Sequence, residues 1–528
     1  MTVQVEHDVP RQRSFTAVYL ALMLLVGLAA LDSTVVSVAV PTMVDDLGGA
    51  NLYSWVGAAY LLAAACFAPL YGKMSDVLGR AFAAFFAIAV FLGGSLFCAA
   101  SSSMPVLVLS RAIQGLGGGG LMQMVRIITS DITTPSERGK YLGGISAAWG
   151  LSTTLGGFVG GAIITIVSWR AVFLVNLPIG GLAAMVLYWN LNVPRKQGKS
   201  LQDHAAEFDL LGLILIGGGS AAFLLGLNQG SSGVLPFILG SAALVYGAYN
   251  EVTTKKSPII PPRLFKKGNA ALVTAINGLH NLTAMIGAFY LPLYFQILGN
   301  SPLEAGILTI PFAVGSTLTS TAIGFVLARY PHHRFLTICS LGVMTFGSVC
   351  MTGLTQQTPL LLQEAYITIA ALGMGPLWTL TLLMIQASVT TDELATATTG
   401  FGLVRSLSGA LGVTIGSGLY SSQLEARLPR IPGYYPELRD VPLRSFADIR
   451  PPVLSGAVIK QHVLAMRSLW LFMIPVSVMA LGLSFLLPQS FEQHKGIDEL
   501  PLAKTKKKQT EEEEGLLAST GARDGRNT

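Results

Sequence analysis

Charge is what this sequence has least of. Lysine, arginine, aspartate and glutamate make up 12% of its 528 residues, where a soluble domain carries about 25%. With 52% hydrophobic residues and a mean hydropathy of +0.58, a water-soluble fold is excluded and a polytopic membrane protein is indicated. Cysteine is scarce as well. Cys66, Cys98, Cys339 and Cys350 all lie in apolar blocks, and they spell neither a metal-ligand spacing nor a disulfide framework. No G-x-x-x-x-G-K-[ST] loop occurs, so ATP does not drive this protein directly. Gly115-Leu116-Gly117-Gly118-Gly119-Gly120 formally satisfies G-x-G-x-x-G, but it follows no strand and lies inside a spanning helix. Dinucleotide binding is thereby set aside. No cofactor, no metal, no nucleic-acid partner and no enzymatic activity are expected.

What the sequence does hold is a series of apolar blocks. They predict spans at 16–40, 54–71, 82–101, 105–129, 141–166, 171–191, 209–229, 232–250, 269–297, 303–328, 335–354, 361–388, 397–420 and 467–487. Each is long enough for a hydrocarbon core of about 30 Å. The first block has no small-residue cleavage site and ends in polar Asp32 and Ser33, so it reads as a retained helix. An even number of spans puts both termini on one side. The tail and loops of that side hold basic residues from Arg11 and Arg13 through Lys73, Arg138 and Lys140 to Arg329 and Arg334, whereas the short loops opposite hold only Arg170. Both termini are therefore expected in the cytoplasm.

Basic linkers at 192–208 and 251–268 bracket the seventh and eighth spans, with six spans on either side. The expected layout is a cytoplasmic tail (1–15), a six-helix bundle (16–191), a linker carrying two extra helices (192–268) and a second six-helix bundle (269–487). The second bundle includes a long non-cytoplasmic loop at 421–466. A disordered, cytoplasmic tail (488–528) with Lys506-Lys507-Lys508 and Glu511 to Glu514 closes the chain. A duplicated bundle with a site between the repeats near the midplane is a transporter architecture.

Within the spans, charged residues are few and informative, because a charge at membrane depth is retained only against a partner or a water-filled cavity. Ser110-Arg111-Ala112-Ile113-Gln114-Gly115 opens the fourth span's polar stretch, and the glycines after it let a neighbouring backbone come close. Asp32 lies about nine residues short of the outer end of the first span, and Arg111 about six from the outer start of the fourth. At about 1.5 Å per residue their depths agree to roughly 5 Å. The two are candidates for an ion pair that protonation of the aspartate would release. Arg126 lies near the end of the fourth span and Arg405 near the middle of the thirteenth; Glu364 reads as interfacial. Trp378, Tyr60, Trp149 and Tyr290 are aromatic candidates for a cavity wall. The positive excess in the spans favours a substrate with an anionic or strongly polar group.

Four stretches carry a family resemblance. Gly72-Lys73-Met74-Ser75-Asp76-Val77-Leu78-Gly79-Arg80 resembles the signature loop of the major facilitator superfamily, although Ala81 stands where a further basic residue is usual. The end of the first span (Leu31 to Pro41), Trp169-Arg170 to Gly180, and Tyr290 to Gln296 resemble the fourteen-helix drug:proton antiporter family, especially its fungal members. Two departures are visible: Ser37 replaces a usual asparagine, and Gly150-Leu151-Ser152-Thr153-Thr154-Leu155-Gly156-Gly157 lacks the usual proline. There Thr153 and Thr154 can bond to the backbone a turn earlier. The resemblance implies an all-α major facilitator fold that exports a drug, toxin, secondary metabolite or organic acid by proton-coupled alternating access. It places Asp32, Arg111 and Gln114 in proton coupling and Gly72, Asp76, Gly79 and Arg80 in a cytoplasmic gate. Arg405, Arg126, Trp378 and Tyr60 would contact substrate. The partners expected are a small molecule, protons and the lipid bilayer, for a monomer in the plasma membrane or, second, the vacuolar membrane. Two other readings stand beside it: a vacuolar transporter of basic amino acids or other nutrients, and a membrane sensor or scaffold that no longer transports.

Overall fold

The computed structural model describes residues 13–133, 138–193, 209–228, 233–254, 256, 268–330, 332–389, 394–433 and 452–489. Among them the chain is helical throughout, with no strand. The helices are α1 (Phe15–Leu47), α2 (Tyr53–Leu78), α3 (Arg80–Ala99), α4 (Met104–Ile132), α5 (Arg138–Ile166), and α6, made of Trp169–Leu174 and Asn176–Asn190 in line. Next come α7 (Leu210–Asn228) and α8 (Val234–Thr253). The second half holds α9 (Gly268–Ile297), α10 (Pro302–Leu308 and Ile310–Arg329), α11 (His333–Met351), α12 (Leu360–Ala387), α13 (Leu394–Arg427) and α14 (Pro452–Ser484).

Fourteen spans result, and ten of them are long and apolar enough to cross a bilayer on composition alone. The other four are α4, α7, α8 and α13. Polar and small residues dilute α4 and α13, α7 is short, and α8 ends in Asn250 and Glu251. The two composite spans break for a chemical reason. Pro178 has no N–H to return to Leu174, and Pro311 has none for Ile307, so each helix restarts across the gap. Ser301 and Glu304 form a capping box that starts α10, with Pro302 in its first turn.

Helices α1–α6 pack as one bundle and α9–α14 as another, while α7 and α8 pack on each other and α7 reaches α2 and α13 from outside. Arg13 Nη1 donates to Trp189 O at 3.3 Å and Arg334 Nη2 donates to Phe485 O at 2.8 Å, which sets helix ends side by side on the face that starts α1 and ends α14. The bundles are joined near the opposite, far face. There Tyr53 Oη donates to Phe289 O at 3.3 Å and Gln296 Nε2 donates to Val38 O at 3.1 Å. Gly157 and Gly161 of α5 bring the start of α10 backbone to backbone, at Gly306 and Leu303.

One expected loop is partly helical. Of residues 421–466, the first seven continue α13 to Arg427 and the last fifteen begin α14 at Pro452. The extension has an apolar reason: Leu424, Leu428 and Ile431 bury themselves against Leu454, Val458 and Ala465, a small core beyond the far face. The C-terminal tail from 490 lies outside the described residues.

The glycines of α4 set the tightest packing. A Cβ on Gly115 or Gly119 would strike the α2 backbone at Tyr60 or Ala64, and one on Gly117 would strike α3 at Phe91. Gly119→Val is therefore expected to destabilise the protein by about 1–3 kcal/mol through overpacking. Gly143→Val, at a position with nothing within 4 Å, should cost much less. Melting temperatures of the two purified variants check this; equal melting would refute the close approach.

Candidate functional site

Five helices of the first bundle converge on Asp32. It lies mid-way along α1, where a helix with few polar side chains would otherwise meet only apolar neighbours. Arg111 Nη1 of α4 reaches Asp32 Oδ2 at 2.7 Å, and the two residues are each 1% exposed. The other oxygen, Oδ1, accepts from Gln114 Nε2 at 2.8 Å and from Asn176 Nδ2 at 2.9 Å. Both amides also donate to Ser95 Oγ of α3, at 2.8 and 3.1 Å, and Ser95 passes its own proton to Phe91 O. Three donors and no acceptor face the Asp32 oxygens, the arrangement that an anionic carboxylate needs.

Arg111 is saturated in its turn. Its Nε donates to Val56 O of α2 at 3.0 Å, Nη1 also donates to Gln114 Oε1, and its guanidinium carbon stands 4.4 Å from the centroid of the Tyr60 ring. Phe173 of α6 flanks it at 5.8 Å, and Cys98 Sγ donates to Gln114 Oε1 at 3.5 Å. The structure thus brings together Asp32, Arg111 and Gln114. It puts Tyr60 with them, beneath the guanidinium and 7% exposed. Ser95, Cys98 and Asn176 join the cluster without having been singled out from the sequence. The one local signal for Asn176 was its place just before Pro178, where the helix break turns the first residue of the second segment into the bundle.

A second polar cluster lies at the α2–α3 turn. Gly79 takes φ +99° there, so the chain reverses where a residue with a Cβ would be strained. Arg80 Nε meets Asp131 Oδ2 of α4 at 2.8 Å, and Arg80 Nη1 donates to Ser75 Oγ at 2.6 Å. Ser75 donates to Gly72 O at 2.6 Å. Asp131, at the end of α4, is thus a carboxylate partner of Arg80; the Asp76 side chain lies outside the described residues.

Between the bundles stands a third group. Arg405 of α13 lies with its guanidinium carbon 3.8 Å from the Trp378 ring centroid, and Asn281 Nδ2 donates to its backbone oxygen. Arg126 of α4 is exposed, and it lies within electrostatic reach of Arg405 on the opposite bundle. Glu364 is also not interfacial in the simple sense: both its carboxylate oxygens are shielded from water without a hydrogen-bond partner. The weak bend expected in α5 has its bonds: Thr153 and Thr154 Oγ1 each donate to Gly150 O at 2.9 Å.

The Asp32 network predicts its own sensitivity. Asn176→Ala removes one donor from a buried carboxylate and is expected to cost about 1–3 kcal/mol of stability. Asn176→Asp sets a second carboxylate against Asp32 and should cost more. Thermal melting of purified protein checks the order wild type, alanine, aspartate; an aspartate variant as stable as wild type would contradict the geometry.

Comparison with known proteins agrees with this architecture. The sequence model described as Major Facilitator Superfamily matches residues 22–413. The chain is 34% identical over 481 residues to an MFS-type transporter of Schizosaccharomyces pombe, covering 89% of this chain and 80% of that protein. It is 33% identical over 417 residues to the efflux pump dotC of Dothistroma septosporum, covering 77% and 72%. Among solved structures, a bacterial homolog of the human lysosomal transporter Spinster in an inward-facing, occupied conformation aligns with TM-score 0.62 at 17% identity, covering 89% and 96%. A D-xylose-proton symporter aligns with TM-score 0.59 at 15% identity, covering 90% and 99%. With a family match over most of its length, fourteen spans in two bundles and transporters as its relatives, this chain belongs to the Major Facilitator Superfamily and is a membrane transporter.

Proposed function

We propose that this transporter exports a small organic molecule in exchange for protons by alternating access, with Asp32 as the proton carrier. The observation that carries the reading is the Asp32–Arg111 pair, held out of water by Gln114, Asn176 and Ser95. A charge pair so deep is costly to keep and strongly destabilising to break on one side only. A proton arriving on Asp32 removes one side, and the network can take up the change. Asn176 Oδ1 is buried without a donor, so turning that amide would offer an acceptor to a protonated Asp32. Arg111, freed from its counter-charge, then has to find another partner, and a rearranged bundle supplies one.

The export direction follows the efflux pumps among the relatives. The bundles, taken as 16–191 and 269–487, would rock about a site near the midplane. The structure's joined far face supports a state open toward the terminal side, which the basic loops favour as the cytoplasmic one, and we take the membrane to be the plasma membrane. Gly72, Asp76, Gly79 and Arg80, together with Asp131, form the latch on that side. Each proton moved down a membrane potential supplies about 2.3 kcal/mol per 100 mV.

The test is a comparison of extracellular metabolites from cells with and without the protein, followed by the Asp32→Asn variant. The compound whose export depends on the protein should stop leaving the cell in the variant, at unchanged surface abundance. Export that persists and still collapses with the pH gradient would sink the role of Asp32.

A further inference from the structure

Two acids of the spans are paired and a third lies far from the terminal face. Asp32 is neutralised by Arg111 and Asp131 by Arg80, while Glu364 sits at the far-face end of α12. Nothing of the kind balances Arg126 and Arg405: among the described residues no carboxylate pairs with either. Arg126 lies about 9 Å in from the terminal-face end of α4, and Arg405 about 16 Å in from the terminal-face start of α13. They differ in depth by roughly 7 Å, lie on opposite bundles, and are close enough to repel each other. Two like charges facing each other between the bundles of a low-dielectric body raise the free energy of the empty site and concentrate anions in it.

From these observations we infer that the region between the bundles holds a binding site for an organic anion of the carboxylate class, clamped between Arg126 and Arg405. The inference rests on the transporter reading above and names the substrate class for the same site. Trp378 fixes the plane of the Arg405 guanidinium by stacking on it at 3.8 Å. Stacking uses the face of the group and leaves the N–H edge free, which is the fork that takes a carboxylate in two parallel hydrogen bonds. His280 supports the ring from behind: its centroid is 4.6 Å from that of Trp378, at 73°, and its Nε2 bonds Met374 O at 3.0 Å. The half-buried Trp378 then offers an apolar surface for the body of the anion. Because Arg126 belongs to one bundle and Arg405 to the other, a bound anion bridges them. It replaces their mutual repulsion by two attractions and draws the bundles together. A lipophilic cation in the same place would meet both positive charges with no counter-charge of its own.

The experiment measures binding by isothermal titration calorimetry to the full-length protein in lipid nanodiscs, without a proton gradient. The probes are 1-naphthoate, its neutral isostere 1-naphthamide, and the lipophilic cation tetraphenylphosphonium. The expected result is saturable naphthoate binding at least tenfold tighter than that of naphthamide, and none by the cation. Arg126→Gln and Arg405→Gln should each weaken naphthoate at least tenfold at unchanged melting temperature, and Arg405→Lys, which keeps the charge but loses the fork, should fall between. Equal affinity for naphthoate and naphthamide, tighter binding of the cation, no naphthoate binding, or wild-type affinity in both glutamine variants would overturn the inference. Failure of the two readings is distinguishable. A protein that binds naphthoate but exports nothing overturns the exporter and leaves the site, whereas export of a cation that alone binds does the reverse.

Discussion

Everything in the first bundle is arranged around one buried ion pair. Taking a carboxylate and a guanidinium out of water costs several kcal/mol for each ion, and the attraction between them repays that only when the remaining hydrogen-bonding capacity is met. Here it is met by side chains from α3, α4 and α6 and a backbone oxygen of α2. The pair is thus a constraint on three helices besides its own two, since moving any of them strips a donor or acceptor from a place where water does not replace it. A bundle held by apolar contacts alone would have no such register, because lipid tails are as apolar as leucine.

Two further ionic centres divide the labour along the same helix. Arg80 and Asp131 tie the α2–α3 turn to the end of α4 near the terminal face, in a half-buried setting where water competes. Arg126, between them and Arg111, has no acid paired with it among the described residues and lies within electrostatic reach of the other bundle. One centre is closed and satisfied, one is closed and reachable, one is open. That gradation suits the roles proposed for them, a proton site, a latch and a substrate contact respectively.

How much of this was legible in the sequence depended on rarity. Arg111 and Asp32 stood out because ionised residues are expensive at membrane depth, and helix rise alone put them at a common level. Fourteen spans and their pairing into two halves followed from block length and from the basic linkers. Ser95 and Asn176 stayed hidden because neutral polar residues are common in spanning helices, where they bond to their own backbone, as Thr283 and Ser348 do here. Asp131 was passed over because it sits at a helix end, where an acid is ordinary. The extension of α13 and α14 beyond the far face was missed for the opposite reason: their added turns are amphipathic, and only the contact between them shows that they are buried.

The glycine run of α4 has a mechanical corollary. Between Arg111 and Arg126 the helix is gripped, with Gly115 and Gly119 against the α2 backbone and Gly117 against that of α3. A stiff rod seized at its middle cannot slide; it can only tip, and when one end swings the other swings the opposite way. The residue pairing with Asp32 is on one arm of that balance and Arg126 on the other, about 22 Å apart along the axis. Loading either arm is thereby felt at the other through the fulcrum, with no chain of intermediate side chains to carry the message.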